Sequence, residues 1–225
     1  TTDGTIVGKK HRIATPRPAT PAAVAQTVNE IIKHFDYSGP VGCGFPALIQ
    51  HGVAKTAANI DKSWVDIDVE KLLSDATGQK VRVINDADAA GFGELLFGAG
   101  NGHQGMVMLL TIGTGIGSAI MNNGELLPST ELGHLEFKAD SAERYCSDAA
   151  REREELSWEK WGKRFNKYLL HLEKLFSPDL FILGGGASKK FDKYSGQLSV
   201  NAKVVPARLR NFAGIIGAAC YAARN

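Results

Sequence analysis

The sequence predicts an α/β protein with mixed sheets, and three observations carry that expectation. Apolar runs of strand length alternate with segments whose apolar residues fall three and four apart, the spacing of helices. The pairs Asp3-Gly4 and Asn123-Gly124 sit where tight hairpin turns join neighbouring strands. Glycine clusters close strand-like runs at residues 41–46, 111–117 and 183–188. With 225 residues, 44% of them hydrophobic, the chain can bury a sizeable core in one large domain or two small ones.

The elements follow in order. Residues 1–13 read as a hairpin turning at Asp3-Gly4, and the proline-rich residues 15–21 as a loop. Thr20-Pro21 then caps a helix that carries Val24, Val28, Ile31, Ile32 and Phe35 at helical spacing. A strand over residues 41–46 ends in a Gly/Pro loop, and residues 68–77 form a short helix stopped by Gly78. Residues 81–84 are a strand that runs into Asn85-Asp86, followed by an Ala/Gly-rich helix start. Strands over residues 106–112 and 118–121 flank a glycine loop. Residues 141–155 read as one charged helix, and Ser157 opens a longer one whose Trp158, Trp161, Phe165, Tyr168, Leu169, Leu172 and Phe176 form a core stripe. Residues 180–183 and 204–205 are strands, and residues 214–223 a helix of small side chains.

Charge excludes some functions. The 26 basic and 24 acidic residues leave a formal charge of +2, which argues against a general nucleic-acid binder. Cys43, Cys146 and Cys220 are scattered without metal-ligand spacing and read as reduced thiols of a cytoplasmic protein. No apolar run approaches the ~18 residues of a membrane span, and no signal peptide is visible.

Three features carry chemistry. In residues 111–118, glycines would let backbone N–H groups approach an anion while threonine hydroxyls add donors. No Gly-Lys-Ser follows, so this is no Walker A loop, and a strand rather than a helix follows, which argues against a dinucleotide fingerprint. A ligand-free glycine hairpin is the alternative. Residues 183–188 form a second such loop, with Lys189, Lys190 and Lys193 behind it; residues 42–46 are a weaker third. Glu131, His134 and Glu136 sit on a glycine-containing turn that suits a polyhydroxylated ligand better than a metal, because no paired histidines or nearby cysteines accompany them. Asp86, at a strand's C-terminal end, is placed to accept a proton from an alcohol attacking phosphorus. The competing role for Asp86, or for Asp88, is a helix N-cap. Anion loops plus such a carboxylate point to phosphoryl transfer to a hydroxyl.

The succession Asn85-Asp86-Ala87-Asp88-Ala89-Ala90, residues 111–117, Glu131-Leu132-Gly133-His134 and residues 183–188 resembles the ROK sugar kinases (repressor, open reading frame, kinase). Residues 183–190, residues 56–64 and Leu156-Ser157-Trp158 are similar to the polyphosphate glucokinase branch, which includes polyphosphate/ATP glucomannokinases. The resemblance implies an actin-like, ribonuclease-H-like ATPase fold with a sugar crevice between a small lobe (residues 1–100 with 211–225) and a large lobe (residues 101–210). It implies that Asp86 is the base on the sugar 6-hydroxyl, and that Asn85, Glu131, His134 and Glu143 bind the sugar. Thr111, Gly113, Thr114 and Gly115 would hold the transferred phosphoryl group. Gly184, Gly185, Gly186 and Ala187 would hold the nucleotide, with Lys189 and Lys190 on the phosphates. The implied substrates are glucose, with mannose a further acceptor, and polyphosphate or ATP with Mg²⁺. Relatives are commonly homodimers. The other readings are a strictly ATP-dependent hexokinase of the family and a non-catalytic sugar sensor or repressor.

Two departures stand out. The cysteine-rich zinc motif of many ROK proteins is absent after Gly133-His134, so no structural zinc is expected. The family's first phosphate motif, Asp-x-Gly-Gly-Thr, belongs ahead of a segment like residues 1–10. Either an N-terminal stretch is missing or a phosphate loop has been lost. Because the later motifs are intact, a missing stretch is the expectation, and a chain without that loop should turn over poorly. Polyphosphate, a long polyanion, requires a cationic path; Lys189, Lys190, Lys193, Lys203, Arg208 and Arg210 are the candidates, with Arg144, Arg151 and Arg153 behind them.

Overall fold

The computed structural model of the chain describes residues 3–57 and 60–224. Helix α1 (Pro21–His34) starts as expected, with Thr20 Oγ1 accepting from Ala23 N and proline in its first turn. It leads to strand β1 (Val41–Phe45), then to the short antiparallel pair β2 (Ile49–Gln50) and β3 (Val53–Ala54). Helix α2 (Val69–Thr77) is capped by Asp68 and closed by left-handed Gly78. Strand β4 (Val81–Asn85) pairs parallel to β1, with Phe45 opposite Asn85. Helix α3 (Asp86–Phe97) follows without a connecting loop.

Next come β5 (Met106–Ile112), β6 (Ile116–Asn122) and β7 (Glu125–Leu127), an antiparallel meander that turns once at Asn123-Gly124. The small pair β8 (Glu136–Phe137) and β9 (Asp140–Ser141) precedes α4 (Ala142–Cys146), α5 (Asp148–Arg153) and the long α6 (Trp158–Phe176). Strands β10 (Leu180–Gly185) and β11 (Lys203–Pro206) then extend the meander into a five-stranded mixed sheet, ordered β11-β10-β5-β6-β7. Helix α7 (Ala213–Ala223) ends the chain's regular structure.

Side chains of β5 alternate between two cores, as pleating requires. Met108, Leu110 and Ile112 face the α6 stripe of Trp161, Phe165, Tyr168, Leu169 and Leu172. Val107 and Leu109 face Phe92 and Leu95 of α3. A third core packs β1 and β4 against α1 and α2. Helices α3 and α7 thus lie between the parallel β1–β4 pair and the five-stranded sheet, and they approach each other closely. A Cβ on Gly93 would stand 2.4 Å from Ala213 O, and one on Gly217 1.7 Å from Ala89 O. A Cβ on Gly42 of β1 would meet Ala218 O at 1.9 Å. Those glycines answer a steric demand, and Gly42 belongs to packing rather than to an anion loop.

Three expectations need correction. Residues 3–13 form no strand: Gly4 turns the chain at φ +82°, but the following residues run irregularly, with no strand for them to pair with among the described residues. Thr1 and Thr2 lie outside the described residues, as do Ala58 and Asn59 of the stretch 56–64. The expected helix over residues 141–155 is two helices, because Ser147 leaves helical geometry (ψ 168°) and its side chain caps α5 through Ala150 N. The cap of α3 is neither Asp86 nor Asp88 but Asn85, whose Oδ1 accepts from both Ala87 N and Asp88 N.

Gly93→Ala tests the α3–α7 contact. Alanine is the better helix former by about 1 kcal/mol, yet the substitution should lower stability by about 1–3 kcal/mol through overpacking. Urea unfolding reads this as a lower midpoint at unchanged slope; a higher midpoint would show that the approach is not limiting.

Candidate active site

The C-terminal ends of β1, β4, β5 and β10 converge on one crevice of about 320 Å³. Such ends are where open α/β sheets bind ligands. Pro46 and Ala47 after β1, Asn85 and Asp86 after β4, Thr111 to Gly117 around the β5–β6 loop, and Gly185 of β10 line it, with Glu131, His134 and Glu143 on the opposite wall.

Asp86 is the first residue of α3, open to the crevice yet crowded by its walls. Burial raises its carboxyl above the ordinary carboxylate range, while the backbone N–H groups of Ala87 and of Asp86 itself pull the other way. Asn85 is nearly spent in holding this turn. Besides its two accepted bonds, its Nδ2 donates to Ala47 O at 3.0 Å, leaving one amide hydrogen for a ligand.

The β5–β6 loop offers donors selectively. Gly113 N–H is committed to Gly115 O at 3.0 Å, and Gly113 O accepts from Ala149 N. No backbone hydrogen bond among the described residues engages the Thr114 or Gly115 N–H. Those two amides are therefore the ones free to meet an anion.

His134 stands between two acids: its Nδ1 lies 3.4 Å from Glu131 Oε2 and its Nε2 3.7 Å from Glu143 Oε1. Burial raises the Glu131 carboxyl, with His134 opposing the shift. Glu143 is fixed from the other side by Ile116 N–H, 3.3 Å from Oε2. The wall is braced by Ser118, whose Oγ donates to Thr130 O at 2.8 Å and accepts from Leu132 N at 2.9 Å.

The expected residues do not all gather here. Asn85, Asp86, Thr111, Gly113, Thr114, Gly115, Glu131, His134, Glu143 and Gly185 line the crevice; Gly184, Gly186, Ala187, Lys189 and Lys190 do not. Ala187 is wholly buried in the α6 core, so its side chain faces no ligand. Gly185 adopts φ +73° with Ile112 O 2.4 Å from any Cβ, so only glycine fits where β10 meets the crevice. Lys189 and Lys190 are exposed on the turn that follows. Glu136 is exposed on β8 and away from the crevice; Glu143 stands in its place. Sequence reasoning from the residues missed Thr56 and Thr130, and included Ser118 only as the end of the anion loop without the bracing role it has here. The one available signal was a serine inside the apolar run of β6.

Asp88, two residues after Asp86, is 1% exposed. Its Oδ2 accepts from Ser129 N at 2.7 Å, and its Oδ1 has no partner among the described residues. Burial pushes its pKa up to about 7, with Glu131 and Asp86 adding repulsion.

The sequence profile of the ROK family matches residues 1–151, more than half of the chain. The chain belongs to the ROK family. It is 45% identical over 217 residues to the polyphosphate glucokinase of Mycobacterium tuberculosis (strain CDC 1551 / Oshkosh), covering 96% of this chain and 82% of that protein. It is 42% identical over 217 residues to the polyphosphate glucokinase of Mycobacterium leprae (strain TN), covering 96% of this chain and 67% of that protein. The crystal structure of the inorganic polyphosphate/ATP-glucomannokinase of Arthrobacter sp. strain KM matches with a TM-score of 0.92 at 47% identity, over 99% of this chain and 91% of that one. A ROK glucokinase of Streptomyces griseus, solved with glucose and AMPPNP, shares the fold with a TM-score of 0.84 at 23% identity, over 100% and 94% of the two chains. The fold is the actin-like ATPase fold of these sugar kinases.

The raised pKa of Asp88 makes a pH prediction. The folded protein holds a proton on Asp88 that the unfolded chain, with the ordinary value of 3.8, has already released. Between about pH 4 and pH 7 that group therefore costs stability progressively, and above pH 7 the cost is constant. Asp88→Asn removes the titration. Its stability gain over the parent should be absent near pH 4 and grow to the order of 1–3 kcal/mol by pH 8, as read by urea unfolding across that range.

Proposed function

We propose that the protein is a polyphosphate-dependent glucokinase that also accepts ATP, transferring the terminal phosphoryl group to the 6-hydroxyl of glucose, with mannose as a further acceptor. The carrying observation is the convergence, in one crevice, of Asp86, the free Thr114 and Gly115 amides and the Glu131–His134–Glu143 wall. The 45–47% identity to a polyphosphate glucokinase and a polyphosphate/ATP-glucomannokinase supports the substrate assignment. A crevice of about 320 Å³ is within the ~300–1,000 Å³ of small-molecule sites.

In this reading the Glu131, His134 and Glu143 side chains and the spare Asn85 amide hydrogen bond the ring hydroxyls and orient the sugar. Asp86 accepts the hydroxyl proton as that oxygen attacks the terminal phosphorus. A carboxyl raised by burial holds a proton more firmly, which suits it to that role. The Thr114 and Gly115 amides and the Thr111 hydroxyl donate to the phosphoryl oxygens as charge spreads over them. Phosphoryl transfer of this kind typically needs a divalent metal, proposed here as Mg²⁺, which neutralises donor phosphate charge. Among the described residues no three His, Cys, Asp or Glu side chains group to hold an ion by themselves, so Mg²⁺ would take its ligands largely from the donor phosphates. The two-lobe division, residues 1–100 with 211–225 against residues 101–210, belongs to the same reading.

The cationic path narrows. Arg151 is bound to Asp148 at 2.6 Å and Glu152 at 3.0 Å and is largely neutralised, while Arg153 shares Glu154, at 3.2 Å, with Arg164 at 2.6 Å. Lys189, Lys190, Lys193, Lys203, Arg208 and Arg210 form no ion pair among the described residues. The proposed path starts at Lys189 and Lys190, next to the Gly185 edge of the crevice.

Asp86→Asn in the full-length protein should lower kcat by ~10²–10⁴-fold with the fold intact; near-parental turnover would refute the base. Lys189→Ala with Lys190→Ala should raise KM for polyphosphate far more than KM for glucose. Equal effects would remove the path. Steady-state assays with polyphosphate and ATP side by side test the donor assignment, and polyphosphate being inert would leave an ATP-dependent hexokinase.

A further inference from the structure

Asp88 is a costly residue for the use the fold makes of it. It is a buried carboxylate with one hydrogen bond, to Ser129 N–H, and one oxygen without a partner among the described residues. A buried polar atom left unsatisfied costs about 1–3 kcal/mol, more if charged. An apolar side chain in the first turn of α3 would avoid that cost. What Asp88 accomplishes is seen at the other end of its bond. Ser129 is held in the left-handed region, at φ +63°, where a residue with a side chain is disfavoured. Two anchors oppose that preference: Asp88 grips the Ser129 N–H at 2.7 Å, and Ser129 Oγ donates to Ile49 O at 2.7 Å. Ser118 fixes the neighbouring Thr130 and Leu132. Glu131 thus lies between Thr130 and Leu132, both held by Ser118, and the segment enters through Ser129, which Asp88 holds. Asp88 lies two residues after Asp86 in the first turn of α3, so the same rigid element bears the carboxylate at the crevice and the anchor of the wall that carries Glu131.

We propose that Asp88 is a positioning residue: through its bond to Ser129 it sets the direction of Glu131, and with it the affinity for sugar, without touching substrate. The inference rests on the reading of Glu131 as a sugar ligand. It makes sugar affinity depend on the acceptor oxygen of residue 88 and not on its charge.

The test is steady-state kinetics on the full-length protein with glucose and polyphosphate as varied substrates, for Asp88→Ala, Asp88→Asn, Glu131→Ala and the double variant Asp88→Ala with Glu131→Ala. Asp88→Ala should raise KM for glucose about tenfold, the size of one hydrogen bond, with KM for polyphosphate unmoved and kcat changed much less. Asp88→Asn keeps the acceptor for Ser129 and should restore KM for glucose to near the parental value. In the Glu131→Ala background, Asp88→Ala should add nothing. Should Asp88→Ala prove unstable in urea unfolding, Asp88→Ser, too short to reach Ser129, replaces it with the same expectation. If Asp88→Asn behaves like Asp88→Ala, charge and not the bond is at work, and the proposal falls. Additive effects in the double variant also overturn it. If Glu131→Ala alone leaves KM for glucose unchanged, the sugar role of Glu131 fails, and that result is read independently of any change at Asp88.

Discussion

The backbone contact between α3 and α7 is the constraint on which the rest of the structure depends. At Gly93 against Ala213 O and at Gly217 against Ala89 O no side-chain atom fits between the helices. Dispersion falls off steeply with separation, so helices this close gain packing that a single methyl group would forfeit. The arrangement has a directional result. Helix α3 packs one side on β5 and β6 and another on α7, which in turn packs on β1 through Gly42. Its N-terminus is thereby held where the strand ends of both units meet, and Asp86 is the residue at that N-terminus.

The same helix carries two other acids with opposite energetics. Glu94 is wholly buried, and its carboxylate accepts from three backbone amides: Ala99 at 2.7 Å, Arg208 at 3.1 Å and Leu209 at 2.6 Å. Charge-assisted bonds of this kind offset the loss of water. Asp88 has one such bond and an idle oxygen. One acid is buried where its partners are complete and ties the chain after β11 to α3. The other is buried where they are not, next to the crevice. Incomplete satisfaction close to a candidate site is where a fold departs from its own stability optimum.

Much of this was legible in the sequence wherever the cause is local. Thr20, Asp68 with Gly78, and Ser157 mark helix ends because a cap bonds within its own turn. The α6 stripe showed its spacing for the same reason. The hairpin at residues 1–13 was misread because a turn signal says nothing about whether a strand exists to pair with. The break at Ser147 was missed because serine is compatible both with a helix interior and with a cap. At the site, Asp86 and the β5–β6 loop were visible as punctuation at strand ends. Glu143 became visible only through family resemblance, since it reaches Ile116 across 27 positions. The partner of Asp88 lies 41 positions away, and nothing near Asp88 announces it.

Asn85 has a consequence for redesign. One side chain fastens the start of α3 and the loop after β1 together, and only its last hydrogen is at the disposal of a ligand. An engineer wishing to alter acceptor preference would ordinarily exchange the amide nearest the sugar. Here that exchange would let the helix start and the loop drift apart, re-aiming the neighbouring carboxylate along with the pocket. Acceptor range is more safely retuned at Glu143, which reaches the crevice from α4 and takes no part in fastening the start of α3 to the loop after β1.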